Sequence, residues 1–211
     1  MKNTIVIKIG GVASQNFSQD FLAQVKKWKD AHKNLVIVHG GGYAINKLME
    51  DNQVPVKKIN GLRVTSQSDM KLVSYALLHM VGENLTKKLN QSSIDSIKLL
   101  SNIKRVVTAD FLDKETYGYV GDISHIQTPI LEQMLDNNML PVLASLGYSK
   151  DGELLNINAD YLATAVAVAL EAEKLVLMTD VKGVLENGVV LDSLTSTEFQ
   201  EKIDQGIITG G

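Results

Sequence analysis

The chain has 211 residues, of which 45% are hydrophobic and 21% are charged, and its formal net charge is −3. These values are typical of a globular domain with an apolar core, and the scattered lysines and arginines form no basic stripe, which argues against nucleic acid as a partner. The absence of cysteine excludes disulfides, thiolate catalysis and cysteine-ligated metals.

The N-terminal segment begins with an apolar run over residues 4–10 that Lys8 interrupts. This run is too short for the apolar region of a secretory signal peptide. No stretch reaches the roughly 18–20 consecutive apolar residues that are needed to cross a bilayer. The sequence therefore predicts a cytoplasmic protein without a membrane partner.

Apolar runs typical of buried strands alternate with segments of helical periodicity. Strands are predicted at 4–10, 35–40, 96–101, 105–110, 140–147 and 174–180. Helices are predicted over 18–33, after the glycines at 40–42, and over 66–90, 127–138, 159–173 and 197–205. Hairpins or loops are predicted at 54–65, at 117–123 and at 184–191, where Asn187-Gly188 is typical of a type I′ turn. The alternation predicts an α/β fold, with a mainly parallel central sheet sandwiched by helices.

The first candidate site follows the first predicted strand, where Lys8 precedes Gly10 and Gly11. A lysine inside a buried strand is costly to desolvate unless a partner compensates its charge. A bound phosphate would compensate it, and the two glycines would let phosphate oxygens approach backbone N–H groups. The alternative is a lysine that reaches solvent at the strand edge beside an ordinary turn.

The second candidate site is the run from His39 through Gly40, Gly41 and Gly42, between a predicted strand and a predicted helix. Backbone N–H groups at the positive end of a helix suit a phosphate or a carboxylate. The spacing matches neither the dinucleotide-binding fingerprint nor the Walker A loop. Tight packing explains one glycine better than three, so an anion site is favoured. His39 has no second histidine or acid at metal-ligand spacing, which predicts a structural role for it.

Polar residues also follow two further strands. Asn156, Asn158 and Asp160 come at the start of the alanine-rich helix. Either Asn158 or Asp160 simply caps the helix, or the alternating polar side chains hold a ligand and orient a lysine. Thr179 and Asp180 end the strand at 174–180, where the acid either contacts a nucleotide or caps the next turn. In open α/β sheets, ligands bind outside the carboxyl ends of the strands.

Arg63 lies in the predicted loop after Gly61. An arginine fork suits a carboxylate, although a surface arginine is usually only solvated.

In their order and spacing, these motifs resemble the amino acid kinase family over essentially the whole chain. The matching segments are KIGG at 8–11, HGGG at 39–42, NGLRVT at 60–65, VGDI at 120–123, NINAD at 156–160 and LMTDVKGVL at 177–185. Within the family, the similarity is to the branch that phosphorylates N-acetyl-L-glutamate in arginine biosynthesis.

The resemblance implies roles for the residues of the acceptor site. The backbone N–H groups of Gly41 and Gly42 would hold the reacting carboxylate and stabilise the transition state. Arg63 and Asn156, with Asn158 beside them, would bind the other end of the acetylated amino acid.

The resemblance also implies the residues of phosphoryl transfer. Lys8 would contact the transferring phosphoryl group, and Asp160 would position the lysines of the site, which makes these two the expected catalytic residues. Lys8 would share the nucleotide site with Gly10, Gly11, Thr179 and Asp180.

The implied reaction is the ATP-dependent phosphorylation of a side-chain carboxylate to an acyl phosphate, with Mg²⁺ held mainly by nucleotide phosphates and water. A carboxylate is already ionised at pH 7, so the attacking group needs no general base. The sequence agrees, because it has no Ser-His-Asp or Cys-His signature. Two alternatives remain: a relative acting on an aminoadipate derivative, carbamate or aspartate, or a catalytically silent ligand-binding homologue.

The implied organisation is a single domain with two lobes. Residues 1–150 would form the lobe for substrate binding and dimerisation, and residues 151–211 would form part of the nucleotide-binding lobe. Helix 66–90 would pair with its counterpart across a two-fold axis to give a homodimer. Family members continue past a loop like Gly210-Gly211 into a segment with a second phosphate-binding lysine, so we expect that this chain is truncated.

Overall fold

The computed structural model describes residues 3–10, 18–100, 106–179 and 183–208. At its centre is a five-stranded sheet in which every neighbouring pair is parallel. Its strands are β1 (Thr4–Ile9), β2 (Asn34–His39), β5 (Ser96–Lys98), β8 (Leu140–Ala144) and β11 (Lys174–Met178). The order across the sheet is β11-β1-β2-β8-β5, which confirms the predicted mainly parallel sheet.

Helices cover both faces of the central sheet. They are α1 (Gln19–Asp30), α2 (Gly42–Asp51), α3 (Asp69–Tyr75), α4 (Glu83–Gln91), α5 (Lys114–Tyr117), α6 (Pro129–Asp136), α7 (Ala159–Ala169) and α8 (Ser196–Asp204). Successive residues of a strand point to opposite faces. Val36 and Val38 therefore pack in one apolar core with α2, α3, α6 and α7, whereas Leu35 and Ile37 pack in a second core with α1 and α4. Double-sided burial explains why these strands read as continuous apolar runs.

The helix predicted over 66–90 exists, but its middle is a π-helical segment, Ala76–Gly82, between α3 and α4. A π-helical segment is wider than an α-helix and is often found near functional sites. Leu77 and Val81 of this segment pack closely against Gly41. A Cβ atom at Gly41 would lie only 2.8 Å from Leu77 Cδ2. The segment is therefore part of the wall behind the glycine loop.

The strand predicted over 140–147 is wrong as a single element. It divides at Ser145 into β8 and β9 (Leu146–Tyr148), and β9 belongs to a second sheet with β6 (Val107–Phe111), β7 (Gly121–Ile126) and β10 (Leu154–Asn156), in the order β10-β9-β6-β7. Ser145 lies at the change of sheet, where its N–H donates to His39 O and its carbonyl accepts from Ile157 N, both at 3.0 Å. All residues from 140 to 147 are buried, so hydrophobicity gives no sign of the break.

Two short hairpins complete the described chain: β3 (Lys58–Ile59) with β4 (Leu62–Arg63), and β12 (Leu185–Glu186) with β13 (Val189–Val190). In the second hairpin, φ is 50° at Asn187 and 81° at Gly188, as the predicted type I′ turn requires. Along the described ranges, no helix is long and apolar enough to cross a membrane.

Gly118 supports the loop that carries Arg63. Thr65 N donates to Tyr117 O at 3.0 Å, and Tyr119 N donates to Thr65 O at 2.7 Å. Gly118 lies between these two bonds with a φ of 70°, and a Cβ atom there would lie 2.3 Å from Thr65 O. A side chain at this position would therefore force the two segments apart.

We predict that Gly118→Ala destabilises the protein more than Gly188→Ala does. Both glycines have positive φ, but nothing lies within 4 Å of a Cβ atom at Gly188. Gly188→Ala should therefore cost only about 1 kcal/mol for the backbone conformation, and Gly118→Ala should cost a further steric contribution. Urea denaturation measures both free energies of unfolding, and equal values would contradict the tight approach at Gly118.

Candidate active site

A cavity of about 170 Å³ lies at the carboxyl ends of the central strands. Its walls are the glycine loop after β2, the β3–β4 hairpin, Ser145 and the segment 156–159. Parallel strands end at the same edge of a sheet, and the register places Ile9 beside both His39 and Met178. The glycine loop and the segment 156–159 are more than a hundred residues apart in the sequence, and the fold brings them together in this cavity.

The glycine loop presents the N-terminus of α2 to the cavity. Gly41 occupies the N-cap position without a side-chain cap, and the first turn of the helix has no acidic residue. A Cβ atom at Gly42 would meet nothing within 4 Å. An uncapped helix N-terminus beside open space is able to bind an anion.

Lys8 and Asp160 form an ion pair beside the cavity, with Nζ and Oδ1 3.0 Å apart. The lysine side chain is 13% exposed and that of the aspartate is 53% exposed. The ammonium group lies over Gly10, where a Cβ atom would come within 2.5 Å of Nζ. The structure thus brings together Lys8, Gly10 and Asp160, and a residue with a side chain at position 10 would displace the ammonium group.

Arg63 is a nearly buried cation in the cavity wall, at 9% exposure. Its guanidinium group donates to Gly42 O at 3.4 Å and also to Asn46 Oδ1. Burial lowers the pKa of Arg63, and the nearby Asp69 raises it by a smaller amount. Among the described residues, no carboxylate forms a salt bridge with Arg63, so a bound carboxylate would compensate its charge.

The two asparagines of the segment 156–159 line the same cavity but have different contacts. Asn156 Nδ2 donates to Thr65 Oγ1 at 3.1 Å, and this bond ties β10 to the Arg63 loop. Asn158 caps α7, because its Oδ1 accepts from the N–H groups of Asp160 and Tyr161 at 2.8 and 3.1 Å. Of the two roles considered for Asn158, the cap is therefore present in the structure, and its position in the wall leaves it beside any ligand.

His39 is 1% exposed at the end of β2. Its Nδ1 lies 3.1 Å from Gly40 O. Burial lowers the pKa of His39 to about 4, an effect that the hydrogen bond to Gly40 opposes only in part. In the described part of the chain, no three His, Asp or Glu side chains are grouped so that they could hold a metal.

The expected nucleotide-site residues are described only in part. Thr179 follows β11 and is exposed at the same edge of the sheet as Gly10, because Met178 pairs with Ile9. Gly11 and Asp180 lie outside the described residues, so their expected roles stay predictions.

Two wall residues with polar side chains were not predicted from the sequence. Lys58 lies opposite Arg63 in the hairpin register, and it adds a second cation to the wall of the cavity. The Asn60-Gly61 turn could have indicated this, since a two-residue turn fixes which side chains pair across a hairpin. Ser145 is also part of the wall, but the change of sheet that places it there has no signal in the sequence.

The sequence is similar to proteins of a known family. The sequence profile of the amino acid kinase family matches residues 3–211. An acetylglutamate kinase of Streptococcus mutans is 68% identical over 211 residues, which are 100% of this chain and 86% of that protein. An acetylglutamate kinase of Staphylococcus epidermidis is 45% identical over 211 residues, with the same two coverages.

Solved structures agree on the fold. A crystal structure of a Streptococcus mutans UA159 protein matches with a TM-score of 0.95 at 68% identity, over 100% of this chain and 86% of the other. N-acetylglutamate synthase from Neisseria gonorrhoeae, in complex with coenzyme A and N-acetyl-glutamate, matches with a TM-score of 0.81 at 25% identity, over 94% of this chain and 47% of the other.

We predict that His39 makes the folded state less stable in acid. The pKa of His39 is about 4 in the folded chain, against 6.5 for an unburied histidine. The unfolded chain therefore binds a proton between these values, and the stability that is present above about pH 6.5 is lost as the pH falls toward 4. The loss attributable to His39 should be about 2–3 kcal/mol.

The measurement is the free energy of unfolding at about pH 7.5 and about pH 4.5 for the wild type and for His39→Asn. Carboxylates also titrate in this range, so the difference between the two proteins isolates the histidine. Parallel pH dependence in the two proteins would contradict the prediction.

Proposed function

The chain belongs to the amino acid kinase family, and from that premise we propose that it transfers the γ-phosphoryl group of ATP to the side-chain carboxylate of N-acetyl-L-glutamate. The curated relatives that support this substrate are named acetylglutamate kinase. The observation that carries the proposal is the charge of the cavity wall. It combines the open N-terminus of α2 with the buried cation Arg63, and its described lining contains no Asp or Glu.

The wall has two places for the two carboxylates of the acceptor. The first is the N-terminus of α2, where the N–H groups of Gly41 and Gly42 would hold the reacting carboxylate. The second is Arg63, whose guanidinium group would bind the other carboxylate through two parallel hydrogen bonds. Asn156, which the bond to Thr65 ties to this loop, and Asn158 would lie beside the acetamido group.

The lining also favours an acetylated amino acid over aspartate. A free α-ammonium group needs an acidic partner when it is taken out of water, and the described lining provides none. An acetamido group is neutral, and its methyl would contact the apolar wall residues Val120 and Ile157.

Phosphoryl transfer in this site is electrostatic. A carboxylate oxygen forms a bond to the γ-phosphorus, the bond from that phosphorus to the bridging oxygen breaks, and ADP leaves without transfer of a proton. Lys8 would neutralise charge on the transferring group, and Asp160 would hold the ammonium group in place through the 3.0 Å ion pair. The donors of the glycine loop would stabilise the same charge from the acceptor side.

The nucleotide would lie over Gly10 and Gly11 and toward Thr179 and Asp180. Mg²⁺ would neutralise phosphate charge, and it needs few protein ligands because it is commonly held by phosphate oxygens and water. The lobes proposed for this arrangement are residues 1–150 for the acceptor and the dimer and residues 151–211 for the nucleotide. The pathway that we propose is arginine biosynthesis in the cytoplasm.

The test is a hydroxylamine trap for the acyl phosphate, with ATP, Mg²⁺ and N-acetylglutamate. It is run on this 211-residue chain. Aminoadipate derivatives, carbamate and aspartate serve as competing acceptors. Hydroxamate formed with N-acetylglutamate in preference to the others supports the proposal. ATP binding without product from any acceptor would instead support a silent ligand-binding homologue.

In the same assay, we predict that Lys8→Ala lowers kcat by about 10²–10³ with a smaller effect on KM, since the lysine acts on charge that develops in the transition state. Lys33→Ala is the matched control, because Lys33 also pairs with a carboxylate, that of Glu173, at the opposite edge of the sheet. Normal turnover by Lys8→Ala would contradict the role proposed for Lys8 in phosphoryl transfer.

The helix formed by α3, the π-helical segment and α4 supports the proposed homodimer. Leu77, Val81 and Leu85 are buried against the chain itself, whereas Tyr75, His79 and Met80 are exposed. The rings of Tyr75 and His79 contact each other at an interplanar angle of 34°, with centroids 5.3 Å apart. This outer face, with two large apolar residues, is suited to contact the same face of a second copy.

We predict that Met80→Glu shifts the protein from dimer to monomer, because it places a charge in the proposed interface. Sedimentation velocity measures the change. Val189→Glu is the control, since Val189 is an exposed apolar residue on the β12–β13 hairpin. A monomeric wild type, or dissociation by Val189→Glu alone, would contradict the proposed interface.

A further inference from the structure

His39 has no part in the function proposed above, yet it is the most enclosed titratable side chain near the glycine loop. It is 1% exposed, and burial lowers its pKa to about 4, so the imidazole is neutral at pH 7. A neutral imidazole carries one N–H group. Gly40 O, 3.1 Å from Nδ1, can only accept a hydrogen bond. The proton of His39 must therefore be on Nδ1.

The hydrogen bond from His39 Nδ1 to Gly40 O also orients the N–H group of Gly41. The carbonyl of Gly40 and the N–H group of Gly41 belong to one planar peptide, and in a trans peptide they point in opposite directions. No cis peptide occurs in the described chain. Holding Gly40 O toward the imidazole therefore directs Gly41 N–H away from it, and Gly41 is one of the residues that line the cavity.

The glycine loop needs such a constraint. Three successive glycines have no side chains that limit rotation, so the peptide between Gly40 and Gly41 could otherwise turn over. Gly40 N donates to Ile9 O at 3.0 Å, and Gly41 O accepts from Ile45 N at 2.8 Å. These bonds hold the peptides on either side, whereas the imidazole is the partner that the described structure gives to Gly40 O.

The imidazole is itself held in place. Its Nε2 lies against Gly82, where a Cβ atom would come within 3.1 Å of it. Gly82 ends the π-helical segment, and Leu77 and Val81 of the same segment pack against Gly41. The main chain of His39 is fixed as well, since its carbonyl accepts from Ser145 N at 3.0 Å.

We propose that His39 is a positioning residue, whose Nδ1–H group fixes the Gly40–Gly41 peptide so that the N–H group of Gly41 points at the reacting anion. The inference rests on the proposed function for the identity of that anion. It predicts a loss of transition-state stabilisation when the Nδ1 donor is removed, even if the apolar volume of the ring is kept.

The kinetic test compares His39→Leu with His39→Asn. Leucine fills much of the space of the ring but has no donor, whereas the asparagine amide can donate from near the position of Nδ1. We expect His39→Leu to lower kcat by about 10-fold to 100-fold, because a misdirected donor acts like a missing one. KM for the acceptor should change by less than about 3-fold, and His39→Asn should recover most of the loss.

Urea denaturation of both variants serves as the stability control. Normal kcat in His39→Leu would overturn the inference. Equal losses of kcat in both variants would also overturn it, because a packing role alone predicts no rescue by asparagine.

A second measurement does not depend on turnover. The ¹⁵N shifts of the imidazole in the wild type report which ring nitrogen carries the proton. A neutral His39 protonated on Nδ1, and still neutral at about pH 5.5, is expected. Protonation on Nε2 would overturn the inference whether or not the enzyme is active. Failure of the wild type in the hydroxylamine assay, with Nδ1 protonated, would instead count against the proposed function.

Discussion

The pairing of β1 with β2 in the middle of a sheet covered on both faces is the constraint on which the rest of the structure depends. Buried strands have no room for polar chemistry along their length, so polar groups collect where the strands end. Because the strands are parallel and in register, Lys8 and Gly40 are brought to one edge of the sheet. Ser145 joins them there through its bond to the last carbonyl of β2.

The site that results is rich in positive charge and poor in proton-transfer groups. Two cations, Arg63 and Lys58, and the N-terminus of α2 line the cavity, and Lys8 lies beside it. Asp160 pairs with Lys8, and His39 is kept neutral by burial. Such a site suits a kinase whose acceptor is already an anion, because bringing two anions together requires charge neutralisation and no general base.

The π-helical segment connects the two surfaces that the proposals concern. Its inner residues, Leu77 and Val81, pack against Gly41, and its last residue, Gly82, lies against the imidazole of His39. Met80, on the outer side, belongs to the face proposed for the dimer. One continuous helical stretch therefore forms both the support of the glycine loop and the candidate interface.

The sequence by itself determined the α/β class, the parallel sheet, most element positions and the strand-end location of Lys8 and the glycine loop. It could do so because buried strands, helix periodicity and glycine runs are local signals. Tertiary structure alone decided the break of 140–147 at Ser145, the π-helical segment and the contact of His39 with Gly40 O. These features depend on which strand continues into which sheet and on how closely a helix approaches a loop. The hydrophobic pattern of a short segment specifies neither the sheet that a strand joins nor the distance between a helix and a loop.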